Sequence, residues 1–230
     1  MVDTKVLTAG YVALAVADAA LAGSERVAAK RLRYLTKPAL MPVLAAATRQ
    51  AGGNRRTTAA QVLSWGGDVA LLGTSDRAFV GGLGSFLGAH LAYLSALAPQ
   101  GERVTVRPNG GVRAALGLWA AAAPAMALAA RRQDKELTAP VAAYATALTT
   151  LLATTARLRP DLSLRGRRTT QAGATLFLVS DTLLGIQTFV LRKHSPTLER
   201  AVMATYTAGQ GLLAAGATQL QVEPRTPTAS

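Results

Sequence analysis

Residues 169–191 read TTQAGATLFLVSDTLLGIQTFVL, a stretch whose only charged side chain is Asp181. At 1.5 Å per residue, a helix of this length is about 35 Å long, enough to cross a hydrocarbon layer of about 30 Å. Lipid offers the backbone no hydrogen-bond partner, so a run like this spans as a helix. The period-2 alternation of a membrane barrel is absent. Working outward from it, seven more apolar segments can be marked, at 6–23, 36–48, 58–74, 78–98, 110–130, 138–156 and 197–219. Most reach the length of a span, and 58–74 sits at the short end. The segment 36–48 is too short by itself. It reads either as a tilted span using part of Leu32–Leu35 or as a re-entrant piece packed in protein. The expected fold is all-α: a polytopic integral membrane helix bundle of about eight transmembrane helices. A single domain over 1–223 would be followed by a disordered polar tail at 224–230.

Composition points the same way. Half of the 230 residues are hydrophobic and mean hydropathy is positive. Only 16% are charged, against about 25% in ordinary globular domains. The net charge of +13 reads as cations in loops, at Ser24–Lys37, Arg131–Glu136 and Arg157–Arg168, flanking the spans. No basic helix face is interleaved with aromatics, so nucleic acid is not an expected partner. The cations divide almost evenly between the two sides of an eight-span topology and leave orientation open. There is no cysteine, which removes thiol and disulfide chemistry. The start, Met1–Lys5 and then an apolar stretch ending at Ala20-Leu21-Ala22, imitates a signal peptide. A lone Lys5 and an interrupting Asp18 favour a retained first helix instead. Gly81, Ser85 and Ala89, and likewise Gly84 and Gly88, recur every four residues, a spacing expected to let helices pack closely. The Ala-, Arg- and Gly-rich composition suits a GC-rich bacterial genome, hence a multi-pass protein of a bacterial cell membrane.

Polar residues inside the spans carry the functional signal. Eight of the twelve acidic residues fall in loops or tails and Glu199 at the very start of 197–219, while Asp18, Asp68 and Asp181 fall deeper inside apolar segments, as does His90. A charged Asp at the middle of a spanning helix costs roughly 2.5–3.5 kcal/mol, and such residues usually face the bundle interior at a functional site. Asp68 and Asp181 lie near the middles of 58–74 and 169–191. His90 is central in its segment, and Tyr206 and Gln210 flank the centre of 197–219. These groups would share one depth. Each also has a plainer reading: a structural hydrogen bond for either aspartate, a satisfied internal pair for His90 and Tyr93, a snorkelling cation for Lys37 at the mouth of the second segment. Asp18, toward the end of its span, reads equally as structural or functional. His194 lies in a loop, so no pair of buried histidines is available for a metal, and no hydrolase or nucleotide-binding motif of soluble enzymes occurs.

Five segments, taken in order, carry a resemblance. They are Tyr34-Leu35-Thr36-Lys37-Pro38, Trp65-Gly66-Gly67-Asp68, Phe86-Leu87-Gly88-Ala89-His90-Leu91-Ala92-Tyr93, Phe177-Leu178-Val179-Ser180-Asp181 and Tyr206-Thr207-Ala208-Gly209-Gln210. Pro140 and Tyr144 also fit the start of the sixth helix. Together they resemble the YhhN-like family of membrane lysoplasmalogenases. The resemblance implies eight transmembrane helices and hydrolysis of the vinyl ether bond of lysoplasmalogens to a fatty aldehyde and a glycerophospho-ethanolamine or -choline. The family's paired aspartates would correspond to Asp68 and Asp181, and Asp18 has no place in the pattern.

The chemistry suits two carboxyls. Protonation of the β-carbon gives an oxocarbenium ion, water adds, and the hemiacetal collapses. One protonated Asp would serve as the acid, while one ionised Asp stabilises the cation and orients water. His90, Tyr93, Tyr206 and Gln210 would orient the pair, the water or the ether oxygen, and Lys37 would bind the lipid phosphate. The expected substrate is a lysophospholipid or ether lipid, and no metal or organic cofactor is required. The rival reading is a small transporter or channel using the intramembrane acids as a proton or cation relay. No internal repeat of the kind many transporters show is apparent. A non-catalytic scaffold would have little use for several central polar groups.

Overall fold

A computed structural model describes residues 3–102, 108–191 and 195–220. The tail at 224–230 and His194 lie outside the described residues. Among those described there are eight α-helices and no strand beyond one isolated bridge, Gly101 with Leu158. The helices are α1 (Thr4–Leu21), α2 (Val27–Gln50), α3 (Arg55–Ala70), α4 (Asp76–Leu97), α5 (Gly110–Gln133), α6 (Thr138–Thr155), α7 (Leu164–Phe189) and α8 (Pro196–Gln219). Their starts follow from local chemistry. Asn54, Ser75, Asn109, Ser163 and Ser195 each accept a hydrogen bond from a first-turn amide, satisfying a donor that the helix leaves open.

The distribution of side chains is that of a membrane protein. Val12, Val16, Leu91, Leu116 and Leu128 are exposed, while Thr57, Gln61, Ser64, Asp68, His90 and Gln210 are buried. Water would favour the reverse; lipid tolerates an apolar outside and drives polar groups to find partners within. Five helices, α1, α4, α5, α6 and α7, are long and apolar enough to cross a bilayer. The other three complete the same bundle.

The helices alternate in direction. Arg33 near the start of α2 pairs with Glu199 near the start of α8. Phe79 near the start of α4 stacks edge-on against Phe189 at the end of α7, with ring centroids 5.9 Å apart. Gln133 at the end of α5 donates to the Thr188 carbonyl at 2.8 Å. One end of the bundle therefore gathers the starts of α2, α4 and α8 with the ends of α5 and α7. We call it the paired end.

Three expectations change. The second segment is neither re-entrant nor short: α2 is one continuous helix over Val27–Gln50 despite Pro38 and Pro42. Pro42 has no N–H, so the carbonyl of Pro38, four residues back, loses its helical donor. The Trp65 indole of α3 replaces it, donating to Pro38 O at 3.0 Å. Most of the cations between Ser24 and Lys37 are thereby helical rather than in a loop, as are Arg165, Arg167 and Arg168 of α7. Second, α3 ends at Ala70 rather than near 74, so Asp68 sits in its last turn and not at its middle. At 16 residues α3 is about 24 Å long. Asp68 nevertheless meets Lys37 and Tyr206, each about 15 Å of helix inside α2 and α8. α3 therefore stops short of the paired end, and a recess lies above it. Asp181, eight residues before the end of α7, lies beyond that helix's middle.

The third change concerns packing. The row on α4 packs in part: a Cβ added at Gly81 or Gly84 would meet nothing, whereas Ala89 is buried and Ser85 lies against Gly66 of α3 and donates to Leu63 O at 2.6 Å. Close backbone approach occurs between α7 and α8. A Cβ at Gly173 would sit 2.6 Å from Leu213 N, and one at Gly209 would sit 2.8 Å from Phe177 N. Glycine at these positions lets the two backbones meet and holds Phe177 and Asp181 in fixed register with Tyr206.

Candidate active site

Asp68 is completely enclosed. Its Oδ2 accepts a hydrogen bond from the Tyr206 hydroxyl at 2.7 Å, and its Oδ1 lies 3.8 Å from the Lys37 ammonium. One turn earlier on α3, Ser64 accepts from Gln210 Nε2 at 2.9 Å, and Gln210 Oε1 accepts from the Tyr93 hydroxyl at 2.6 Å. Antiparallel register explains the set. Ser64 and Asp68 are four apart on α3, and Gln210 and Tyr206 are four apart on α8, so each side chain meets its opposite number. Lys37 is not at a helix mouth, as its place in the sequence suggested. It is buried ten residues into α2 and serves Asp68.

Asp181 is held differently. The Tyr144 hydroxyl of α6 makes a short hydrogen bond to Oδ2, and His90 Nε2 lies 3.9 Å from the same oxygen. Oδ1 has no hydrogen-bond partner among the described residues. His90 Nδ1 lies 2.7 Å from Phe86 O. A carbonyl only accepts, so Nδ1 carries the hydrogen, and Nε2 of the neutral ring is left as an acceptor turned toward Asp181. At 3.9 Å the gap suits a bridging water better than a direct bond. His90 and Tyr93 are thus not partners of each other; they serve the two aspartates separately.

Between the carboxylates lies an aromatic layer. His90 stacks on Phe177 with centroids 4.6 Å apart, Phe177 meets Tyr206 at 5.6 Å, and Phe86 meets Tyr206 edge-on at 5.8 Å. Asp181, with its side chain 10% exposed, lines an apolar cavity of about 260 Å³ formed by α4, α5, α6 and α7; Asp68 does not.

The sequence-matched residues Lys37, Asp68, His90, Tyr93, Asp181, Tyr206 and Gln210 thus come together in one interior cluster. The family model for the YhhN family matches residues 32–217. The chain belongs to the YhhN family. Proteins named lysoplasmalogenase from Mycobacterium bovis and Mycobacterium tuberculosis are each 32% identical to it over 200 residues, covering 84% of this chain and 73% of theirs. No solved structure matches.

Asp18 stands apart from this YhhN-family cluster. It is fully buried, accepts from Thr36 Oγ1 at 2.7 Å, and lies 3.5 Å from the Arg33 guanidinium, which ties α1 to α2. Two members of the cluster were hard to see in the sequence. Ser64 showed only as a polar residue one turn before Asp68. Tyr144 fits the family pattern, but nothing in its own helix announces a partner on α7.

Proposed function

We propose that the protein hydrolyses the vinyl ether bond of a lysoplasmalogen in the membrane, the activity for which its mycobacterial relatives are named. One observation carries the reading. Asp181 lines an apolar cavity with one carboxyl oxygen fixed by Tyr144 and the other without a partner among the described residues. That is the arrangement a proton donor to an alkenyl chain needs: a fixed orientation and a free oxygen beside an apolar wall.

In this mechanism Asp181 gives its proton to the β-carbon of the vinyl ether, and positive charge develops on C1 and the ether oxygen. Asp68 keeps its negative charge through Lys37 and Tyr206 and stabilises that cation from beneath the aromatic layer. Water held between His90 Nε2 and Asp181 adds to C1 and returns a proton to the Asp181 carboxylate. The hemiacetal then collapses: the C1–O bond to glycerol breaks, the hydroxyl on C1 gives up its proton to become the aldehyde carbonyl, and the departing glycerol oxygen takes up a proton. Tyr93 and Gln210 position Asp68 by fixing Ser64 and the α3–α8 register. The domain boundary at 223 and the placement in a bacterial cell membrane belong to the same proposal.

The test is direct. Protein purified in detergent is expected to release fatty aldehyde from an alkenyl lysophospholipid and no fatty acid from the acyl analogue. Detergent abolishes vectorial movement but leaves hydrolysis intact, so a preparation that binds the lipid yet yields no aldehyde would sink the hydrolase and favour an ion relay.

A further inference from the structure

The recess above α3 is a second, polar cavity of about 220 Å³, lined among others by Glu25, Lys30, Arg33, Tyr34, Leu71 and Glu199. Its chemistry is opposite to that of the apolar cavity beside Asp181, yet Leu71 lines both. Leu71 caps α3, three residues after Asp68. The polar recess, the two aspartates and the apolar cavity therefore follow one another around the end of one short helix. A lysolipid has the same order: charged headgroup, glycerol with its reactive ether, apolar tail.

We infer that this recess is the headgroup subsite, with Lys30 taking the phosphate and Glu25 the ammonium of a zwitterionic headgroup, on either side of the Arg33–Glu199 pair. The inference rests on the hydrolase reading above. Charge supports it. Two cations and two anions line one small cavity, which suits a zwitterion and penalises a headgroup that is only anionic. Tyr34, exposed at the same cavity, adds an aromatic ring of the kind that attracts a quaternary ammonium. Spacing supports it as well. Arg33 and Lys37 lie one turn apart on α2, about 6 Å of rise, with Arg33 at the recess and Lys37 against Asp68. That step matches a glycerol unit held between its phosphate and its vinyl ether. Lys37 is enclosed and engaged by Asp68, and Arg33 by Glu199 and Asp18, which leaves the exposed Lys30 as the phosphate ligand.

The experiment measures KM and kcat for aldehyde release from four alkenyl substrates: phosphoethanolamine, phosphocholine and phosphoglycerol lysolipids, and the alkenylglycerol that lacks phosphate. Wild-type protein is expected to show a KM about tenfold lower for the two zwitterions than for the other two, as one charge-assisted contact supplies. Lys30→Ala raises KM for the zwitterions by about tenfold with kcat within about twofold, and leaves the alkenylglycerol unchanged. Glu25→Lys moves preference toward the phosphoglycerol substrate. Lys30 and Glu25 are exposed, so neither change threatens the fold, and turnover of the alkenylglycerol by each variant checks this internally. Equal KM values across all four substrates, or a Lys30→Ala effect as large on the alkenylglycerol, would overturn the subsite while leaving the hydrolase standing. Absence of aldehyde from every substrate removes both.

Discussion

The two aspartates occupy the same interior cluster, but their surroundings differ in kind. Asp68, between α2, α3 and α8, has a partner on each oxygen, one of them a lysine ammonium, and does not line the apolar cavity. Asp181, between α4, α6 and α7, has both its partners on one oxygen and none on the other among the described residues, and it lines that cavity. A carboxylate with one oxygen against a hydroxyl and the other near an ammonium suits a held charge. One with an oxygen open beside an apolar cavity suits proton exchange. On the mechanism proposed above, the polar interior divides into two half-sites joined by an aromatic layer, Asp68 supplying the field and Asp181 the proton.

The sharpest way to break that comparison is to remove the acid from each side. Asp181→Asn keeps the shape and the Tyr144 contact but has no proton to give a carbon. It should lower kcat on the order of 10³-fold, within the usual span for a positioned general acid, with a melting temperature in detergent close to wild type. Near-normal turnover by this variant removes Asp181 from the mechanism. The other side should fail by unfolding. Lys37→Met leaves the Asp68 carboxylate buried without its cation, and breaking a buried pair at one partner typically costs about 3–5 kcal/mol. Adding Asp68→Asn to Lys37→Met should recover most of that loss, as measured by thermal unfolding in detergent, without recovering turnover. If Lys37→Met alone melts like wild type, the pair is not what keeps Asp68 charged.

The two tyrosines refine the contrast. Tyr144→Phe removes the one fixed donor to Asp181 and should reduce kcat about tenfold with KM unchanged, the loss of about 1.4 kcal/mol from the transition state. Tyr206→Phe leaves Asp68 with Lys37 still in place, so kcat should fall only about threefold. Steady-state kinetics on both variants decide this. A larger effect at Tyr206 would reverse the roles assigned to the two carboxylates.

Much of this was readable before any coordinates. Asp68, Asp181 and His90 stand out because a polar group inside an apolar run has a cost that something must offset, and that cost is visible in one dimension. The four-residue spacings Ser64–Asp68 and Tyr206–Gln210 are visible too, since they lie on single helices. What was not readable depends on neighbours. Tyr144 is one polar ring in an Ala- and Thr-rich helix, and only the α6–α7 contact gives it a carboxylate. Lys37 reads as an interfacial cation because the apolar run 36–48 begins beside it, when α2 in fact starts ten residues earlier at Val27. Gly81 and Gly84 on α4 have the right spacing for packing but face open space, whereas Gly173 and Gly209, far apart in sequence, are where backbones meet. Periodicity reports which residues share a face; it does not report which helix that face will meet.

The smallest effect tests why α2 continues and so why Lys37 reaches Asp68 at all. The Trp65 indole donates to Pro38 O, the carbonyl that Pro42 cannot serve. Trp65→Phe leaves that carbonyl without its donor at a modest cost, about 1 kcal/mol of stability for one hydrogen bond. If the indole acts as the missing helical N–H, the cost depends on Pro42. In a Pro42→Ala background the new amide bonds Pro38 O within the helix, and Trp65→Phe should then cost almost nothing. A double-mutant cycle read by thermal unfolding in detergent gives the coupling directly. Additive losses would mean that Trp65 stabilises α3 by packing alone, and that the course of α2 past its two prolines is set by the helices around it rather than by this bond.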